Sequence, residues 1–214
     1  MTDIRVLVVG LGNMGLSHAR AYKAIEGFEI AGLCSRNIAE REDLAEEFPG
    51  VPQFNDYAQA LTTLKPDAVS INTWPDTHAA YARMALEAGA HVFIEKPLAA
   101  SSQEAMALHH AAVASGSLLQ TGLILRYDLQ HGLLLNEIAA GRFGELVSIR
   151  VKRNCSAAWF ATVAERAHTV FETLIHDIDL LRWFTGSTAT RVMAMERRFG
   201  PHSSPEGCFA LIEF

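Results

Sequence analysis

The segment VLVVGLGNMG, residues 6–15, constrains the fold of this chain more than any other part of the sequence. Its first four residues are all apolar, which is typical of a strand buried on both faces of a parallel sheet. Gly10, Gly12 and Gly15 then follow with the G-x-G-x-x-G spacing, where a helical pattern begins. A strand, a glycine loop and a helix in this order predict a unit that binds the pyrophosphate of a dinucleotide.

Each glycine has its own predicted role in such a loop. Gly10 permits the tight turn, Gly12 lets the backbone approach the pyrophosphate, and Gly15 lets the helix pack closely on the strand. The helix N-terminus would supply free N–H groups and positive partial charge. A glycine turn without a ligand is the alternative, which the surrounding strand and helix disfavour. One face of the helix is predicted to carry Met14, His18, Tyr22 and Ile25.

The residues after the second predicted strand bear on which dinucleotide is bound. Sites selective for NAD usually have an acid about 20 residues past the glycines, where it holds the ribose 2′-hydroxyl. Here the sequence reads CSRN at 34–37, and the first carboxylate is Glu40. Ser35 can donate to a phosphate oxygen, and Arg36 can clamp it through charge-assisted contacts. This substitution favours NADP over NAD; a solvated Arg36 beside a site that accepts both is the alternative.

Strand-like and helix-like segments alternate along the first half of the chain. Strands are predicted at 6–10, 29–35, 67–73, 91–95 and 118–126. Helix starts are predicted at Asp56, at Asp76 and at the capping box Ser101–Glu104, and helix ends at Gly89 and Gly116. This order predicts an α/β fold, with a doubly wound, mostly parallel sheet that has helices on both faces.

The regular alternation of strand-like and helix-like segments ends after about residue 122. Helices are predicted at 131–141 and 171–184, and strands at 145–154, 191–199 and 208–214. These segments predict a second α/β unit dominated by a sheet. Because the chain stops on a strand-like run, we expect this second unit to be incomplete.

Composition excludes several classes of function. Half of the residues are hydrophobic, and the formal charge is −6 with acids and bases mixed along the chain. Because the sequence contains no basic block, nucleic-acid binding has little support. No apolar stretch approaches the length of a membrane span. Cys34, Cys155 and Cys208 are odd in number and scattered, as expected for free thiols in a reducing compartment. A cytoplasmic location is therefore predicted.

The strand at 91–95 leads directly into Glu95, Lys96 and Pro97. Ligands of open parallel sheets bind beyond the carboxyl ends of the strands, which is where Lys96 lies. The sequence therefore predicts an ammonium group aimed at the cofactor crevice, held by a proline that can take the cis form. A salt bridge at the rim with Glu95 is the alternative.

The helix FETLIHDIDLLRWF, residues 171–184, carries the second candidate group. Glu172 and His176 are four residues apart and share a helix face, and Asp179 follows one turn later. A histidine can take a proton near neutral pH, and a carboxylate can orient it. A histidine that is merely satisfied by a nearby acid is the alternative. A metal site is disfavoured because no other ligand cluster is present, and the remaining histidines are assigned no chemistry.

Three stretches, GLGNMG, NTWPDTHAAYARMALEAGAHVFIEKPLA and FETLIHDIDLLRWFTG, together resemble the Gfo/Idh/MocA oxidoreductases. The resemblance implies a Rossmann domain at 1–122 and a C-terminal α/β domain at 123–214, built on a large, mainly antiparallel sheet. It implies NAD(P)-dependent oxidation or reduction at a hydroxyl or carbonyl carbon of a sugar, cyclitol or related compound. It also implies a homo-oligomer, a dimer or tetramer, for the full-length form.

The resemblance implies roles for individual residues. Lys96 would contact the reacting oxygen, His176 would be the general acid and base, and Glu172 would complete the catalytic set. The acid at that position is commonly Asp in the family, and members are usually longer, which predicts a truncated C-terminal domain. Cofactor contacts are expected from Gly10, Gly12, Asn13, Met14, Gly15, Ser35, Arg36, Thr73, Glu95 and Lys96.

Two other functions fit the sequence. The first is an NADP(H)-binding sensor or scaffold without turnover, which an incomplete second unit would favour. The second is a dehydrogenase for a carboxylated hemiacetal or aldehyde, whose carboxylate Arg126, Lys152 or Arg153 would hold.

Overall fold

The computed structural model describes residues 3–166 and 168–214, and the chain divides into two compact units, 1–122 and 123–214. The N-terminal unit contains a six-stranded sheet in the order β3-β2-β1-β4-β5-β6, in which neighbouring strands are parallel. The strands are β1 Ile4–Val9, β2 Phe28–Cys34, β3 Gln53–Phe54, β4 Ala68–Ile71, β5 His91–Ile94 and β6 Leu119–Thr121. Because the strand order reverses beside β1, a crevice is expected at the carboxyl end of that strand.

Helices connect these strands and bury both faces of the sheet. They are α1 Asn13–Ala24, α2 Glu42–Glu47, α3 Tyr57–Leu64, α4 Pro75–Glu87 and α5 Ser102–Ser115. Val6 and Val8 belong to one buried cluster, whereas Leu7 and Val9 belong to the other. Since successive residues of β1 point to opposite faces, this division explains the continuous apolar run and confirms the doubly wound fold. Within the described ranges, no helix combines the length and apolarity needed to cross a membrane.

Most of the predicted helix caps are confirmed, and one is wrong. Asp56 accepts a hydrogen bond from the Gln59 N–H at 2.7 Å, and Ser101 accepts one from the Glu104 N–H at 3.2 Å. Asp76, however, lies inside α4, which begins at Pro75. Proline is favoured at the first helical position because its fixed φ suits the helix and its missing N–H would have no partner there.

The face of α1 that carries Met14, His18, Tyr22 and Ile25 is not the most buried face of that helix. Met14 and Ile25 are 45% and 50% exposed, whereas Gly15 and Ala19 are buried. A Cβ at Gly15 would overlap the carbonyl oxygen of Gly10. The helix therefore packs on the sheet through its smallest residues, which a search for large apolar side chains misses.

The C-terminal unit combines helices with an antiparallel strand pair. Its helices are α6 Leu129–Ala139, α7 Ala157–Val163 and α8 Ile175–Thr185, and a π-helical turn, Val170–Leu174, leads into α8. Strands β7, Arg191–Arg197, and β8, Gly207–Glu213, pair antiparallel from Arg191–Glu213 to Arg197–Gly207. An α/β unit with an antiparallel sheet is therefore confirmed, with two strands in the part that the structure describes.

The predicted strand at 145–154 is wrong. These residues alternate in polarity, but they form no strand and are mostly exposed. A strand forms when a neighbour satisfies its backbone groups, and the sheet of this unit pairs only β7 with β8 among the described residues. The next segment, for which the sequence predicts neither a helix nor a strand, forms α7, whose N-cap Ser156 accepts from the Trp159 N–H at 3.1 Å.

We predict that Gly15→Ala destabilises the N-terminal unit by about 1–3 kcal/mol or more, because the new methyl group must displace the Gly10 carbonyl. Gly12→Ala is the matched control, since Gly12 has a φ of −75° and a Cβ added there would have no described atom within 4 Å. Urea unfolding midpoints of both variants measure the difference. Equal midpoints would contradict the close packing inferred for Gly15.

Candidate active site

The glycine loop joins the carboxyl ends of three strands. Gly10 has a φ of +83°, and its N–H donates to the Cys34 carbonyl of β2 at 2.9 Å. A Cβ at Gly10 would stand 2.6 Å from the carbonyl oxygen of Asn72, just after β4. Glycine is therefore required both by the backbone angle and by the neighbouring chain.

The first turn of α1 follows directly and is built to meet an anion. Gly12 is its N-cap and provides no side-chain hydrogen bond, and the first turn contains no acid. The first helical hydrogen bond is from the Leu16 N–H to the Gly12 carbonyl, so the N–H groups of Asn13, Met14 and Gly15 have no partner within the helix. Together with the helix dipole, these groups can hold the pyrophosphate of a dinucleotide.

Thr73, another predicted cofactor residue, lies against this loop. A Cβ at Gly10 would stand 2.8 Å from the backbone nitrogen of Thr73. The preceding residue, Asn72, was not singled out from the sequence. Its Nδ2 donates to Ser70, whereas its buried Oδ1 has no hydrogen-bond partner among the described residues. Buried polar atoms are rarely left unpaired, so this oxygen is a candidate acceptor for a bound cofactor.

Glu95 is held inside the unit and is only 7% exposed. Its carboxylate accepts from His18 Nε2 at 3.0 Å and from the Lys96 backbone N–H at 3.2 Å. Burial alone would raise the pKa of Glu95, but the hydrogen bond and charge of His18, with smaller contributions from Lys96, lower that pKa overall. Glu95 is therefore an ionised carboxylate tied to α1 through His18, a histidine to which the sequence assigned no chemistry.

Lys96 is half-buried and follows β5, next to the carboxyl end of β4. The Lys96–Pro97 peptide bond is cis, as the sequence allowed. His78 of α4, fully buried, also contacts this loop: Nδ1 lies 2.6 Å from the Pro97 carbonyl, and Nε2 lies 3.0 Å from the Thr73 carbonyl. His78 is a second histidine whose position the sequence did not reveal, because its partners lie in distant loops.

The residues that follow β2 occupy the predicted ribose region. Cys34 is buried, and burial, with a smaller contribution from Asp56, raises the pKa of its thiol to about 12. The Ser35 hydroxyl donates to Asn37 Oδ1 at 2.8 Å, and Arg36 is exposed. Arg41, which the sequence did not single out, donates to the Leu11 carbonyl of the glycine loop at 3.0 Å.

In the C-terminal unit, Glu172 lies in the π-helical turn and His176 in the first turn of α8. Both are half-buried. Val170, Leu174 and Ile178 form the row that lines an apolar cavity of about 210 Å³ against β7 and β8, and neither Glu172 nor His176 lines it. Because a π-helical turn precedes α8, the spacing between Glu172 and His176 is not that of an uninterrupted α-helix. Turns of this kind are frequent at functional sites.

Two aspartates of α8 are held by arginines. Asp179 accepts a bidentate pair of hydrogen bonds from Arg126, both at 2.7 Å. Asp177, 6% exposed, accepts from Arg153 Nε at 2.9 Å and Nη2 at 2.8 Å. The expectation that Arg126 and Arg153 bind a substrate carboxylate is therefore not supported, because both guanidinium groups hold carboxylates of α8.

Each unit thus brings together part of the predicted set. The carboxyl edge of the N-terminal sheet gathers Gly10, Gly12, Asn13, Met14, Gly15, Thr73, Glu95 and Lys96, with Ser35 and Arg36 after β2 at the same edge. Glu172 and His176 belong to the C-terminal unit. The first group has backbone N–H donors for a dinucleotide, and the second can transfer a proton.

Two family models match the chain. Residues 4–123 match the oxidoreductase family with an NAD-binding Rossmann fold, GFO_IDH_MocA. Residues 134–214 match the GFO/IDH/MocA C-terminal domain. The first match alone covers more than half of the chain.

Similar proteins act as inositol dehydrogenases. Inositol 2-dehydrogenase of Agrobacterium fabrum is 31% identical over 183 residues, which are 84% of this chain and 54% of that protein. Inositol 2-dehydrogenase 3 of Saccharopolyspora erythraea is 32% identical over 186 residues, 84% of this chain and 53% of that protein. The chain thus spans about half the length of these curated relatives.

A solved structure extends the likeness to the fold. Scyllo-inositol dehydrogenase of Lactobacillus casei, with bound NAD(H) and scyllo-inositol, superposes with a TM-score of 0.86 at 27% identity. The match covers 99% of this chain and 66% of that protein.

We predict that Glu95→Gln lowers stability at pH 7 by about 1–3 kcal/mol, because the charged hydrogen bonds to Glu95 are lost. Since the pKa of Glu95 is lowered in the folded chain, its contribution is full above the ordinary carboxyl pKa of about 4.3. It is lost as the pH falls through the folded pKa. Urea unfolding from pH 7 to pH 3 should therefore show that the difference in unfolding free energy between wild type and Glu95→Gln becomes smaller as the pH falls.

The matched control for this experiment is Glu29→Gln, which changes an exposed carboxylate on β2 of the same sheet. Its stability relative to the wild type should stay nearly constant across the same pH range. The assigned role of Glu95 would be contradicted if Glu95→Gln were as stable as the wild type at pH 7, or if its loss of stability increased in acid.

Proposed function

The chain belongs to the GFO/IDH/MocA oxidoreductase family, and from this premise we propose that it is an NAD(P)-dependent dehydrogenase. It would transfer hydride between a nicotinamide and a hydroxyl or carbonyl carbon of a cyclitol, sugar or related polyol. The observation that carries the proposal is the arrangement at one sheet edge. The glycine loop after β1, Thr73 after β4 and Lys96 after β5 follow three adjacent strands.

A cyclitol is the first substrate class to consider. The relatives at 31% and 32% identity are inositol 2-dehydrogenases, and the similar Lactobacillus casei structure holds scyllo-inositol. A neutral polyol also suits this chain better than a carboxylated substrate, because Arg126 and Arg153 are already paired with Asp179 and Asp177.

The proposed mechanism gives each side chain one task. A nicotinamide cofactor held at the glycine loop would supply the hydride acceptor for the substrate's hydroxyl carbon. His176 accepts the proton of that hydroxyl group, and Glu172 orients the imidazole. Lys96 donates to the same oxygen and stabilises the negative charge that develops on it, an effect often worth several kcal/mol.

NADP is the proposed preferred form of the cofactor. Residues 34–39 at the end of β2 contain no carboxylate that could hold a ribose 2′-hydroxyl. Arg36 is exposed there, whereas Arg41 donates to the Leu11 carbonyl and is paired with Asp43. The guanidinium group of Arg36 therefore favours a 2′-phosphate. The homo-oligomer and the cytoplasmic location expected from the sequence stay predictions.

Lys96→Met and His176→Asn should each lower turnover of the active polyol at least about 100-fold, because charge stabilisation or proton transfer is lost. The affinity for NADPH should change by less than about threefold, since the proposed phosphate donors are the backbone N–H groups at the N-terminus of α1. Nicotinamide absorbance with a panel of inositols, sugars and aldehydes measures turnover, and cofactor fluorescence measures binding.

Lys65→Met removes an exposed lysine that has no proposed contact with cofactor or substrate, and it is the matched control, with unchanged turnover expected. Full turnover in Lys96→Met would exclude the lysine from the mechanism. Cofactor binding by the wild type without turnover of any substrate in the panel would instead favour the sensor or scaffold.

Arg36→Ala should weaken NADPH binding about tenfold, the effect of losing a charge-assisted contact worth about 1.5 kcal/mol. NADH binding should not change, because NADH lacks the 2′-phosphate. Fluorescence titration of both cofactors measures this, with Arg83→Ala, an exposed arginine of α4, as the control. Equal affinities of the wild type for NADPH and NADH would refute the preference.

A further inference from the structure

The apolar cavity of about 210 Å³ in the C-terminal unit has one helical wall. This wall is a row of four side chains spaced four residues apart, Val170, Leu174, Ile178 and Arg182. Residues at this spacing lie along one side of a helix, so the cavity follows the helix axis. From Leu174 to Arg182 the helix rises about 12 Å, at about 1.5 Å per residue. The cavity is therefore elongated along α8.

The opposite wall is built from small side chains of β7 and β8. Ala194 and Ala210 lie directly opposite each other in the antiparallel register, and both line the cavity. Larger apolar side chains at these two positions would reach toward α8 and fill the space, as side chains do in a close-packed core. This pair of alanines therefore explains why a cavity lies between the helix and the strands.

The apolar groups around the cavity are accessible to solvent. Leu174 and Ile178 are half-buried, Val192 is 59% exposed, and Ala194 and Ala210 are exposed. Covering apolar surface is favourable in proportion to the area that is removed from water. Contiguous exposed apolar surface of this kind often marks a groove that binds a ligand. An apolar ligand in the cavity would therefore be held by burying both walls.

Among the described residues, two charged side chains line the cavity, and they lie at its opposite ends. Glu196 lies 3.2 Å from His168 Nε2, just before the first residue of the helical row. Arg182 lies in the last turn of α8, and within the described ranges its guanidinium group makes no hydrogen bond or ion pair. Arg126 and Arg153, in contrast, each hold an aspartate. Arg182 is therefore available to an anion.

We propose that this cavity binds a linear medium-chain carboxylate, with the alkyl chain between α8 and the strands and the carboxylate at Arg182. An extended chain of about eight to ten carbons matches the length of the helical wall better than a bulky ring does. The volume is sufficient, since an engineered apolar cavity of about 150 Å³ accepts benzene. The site shares no residue with the proposed hydride transfer and does not depend on it.

Calorimetric titration of the intact chain with hexanoate, octanoate and decanoate tests the site directly. We expect one molecule to bind per chain, about fourfold more tightly for each added methylene group, because each group leaves water when it enters the cavity. The proposal would be overturned if decanoate did not bind below its micelle-forming concentration. Several molecules bound per chain, or an affinity independent of chain length, would overturn it too, because adsorption or charge alone would explain such binding.

Filling the cavity tests its location. Ala210→Leu should weaken octanoate binding at least about tenfold, because the new side chain occupies the middle of the cavity. Ala161→Leu is the matched control, since it adds the same atoms at an exposed position of α7 and should bind octanoate as the wild type does. Far-UV circular dichroism checks folding, and Ala194→Leu replaces Ala210→Leu if that variant does not fold. A folded, filled variant with wild-type affinity would refute the proposed location.

Arg182→Gln tests the position of the carboxylate. It should weaken octanoate binding about three- to fivefold, a modest effect because an exposed charge pair is screened by water. It should leave the affinity for octan-1-ol, which has the same chain and no charge, unchanged. Arg198→Gln, which alters an exposed arginine outside the cavity, is the control and should change neither affinity. Equal losses for octanoate and octan-1-ol in Arg182→Gln would refute the contact with the carboxylate.

Discussion

The backbone contact between Gly15 of α1 and the Gly10 carbonyl positions most of the groups discussed above. Because no side chain separates them, α1 lies close against the end of β1, and its N-terminal N–H groups face the carboxyl edge of the sheet. The positive φ of Gly10 turns the chain toward α1, while its lack of a Cβ leaves room for Asn72 and Thr73. Two glycines thus set both the shape of a phosphate site and its position in the sheet.

Two histidines then hold the loops at that edge through buried hydrogen bonds. His18 connects α1 to the Glu95 carboxylate, and His78 connects the loops after β4 and β5. Buried polar groups are costly unless they are satisfied, so such contacts restrict how far each loop can move. Lys96 lies in the chain between two of the residues that these histidines contact, directly after Glu95 and directly before Pro97. Its surroundings are therefore fixed on both sides by side chains from different helices.

Local sequence signals predicted the N-terminal sheet well, because its strands are apolar runs closed by turns and its helices carry recognisable caps. The failures share a physical cause. Whether 145–154 becomes a strand depends on a distant pairing partner, and whether Arg126 and Arg153 can reach a substrate depends on aspartates elsewhere in the chain. The bonds of Asp177 and Asp179 to Arg153 and Arg126 span 24 and 53 residues, and that of Glu95 to His18 spans 77. No local pattern specifies such contacts.

The most direct test of the proposed chemistry follows the hydrogen itself. Inositols and other polyols deuterated at their hydroxyl carbons can be incubated with the chain and oxidised NADP or NAD, and the reduced cofactor analysed by mass spectrometry. Hydride transfer predicts that the reduced nicotinamide gains one deuterium from the substrate carbon. Bound cofactor that gains no deuterium from any of these substrates would contradict it.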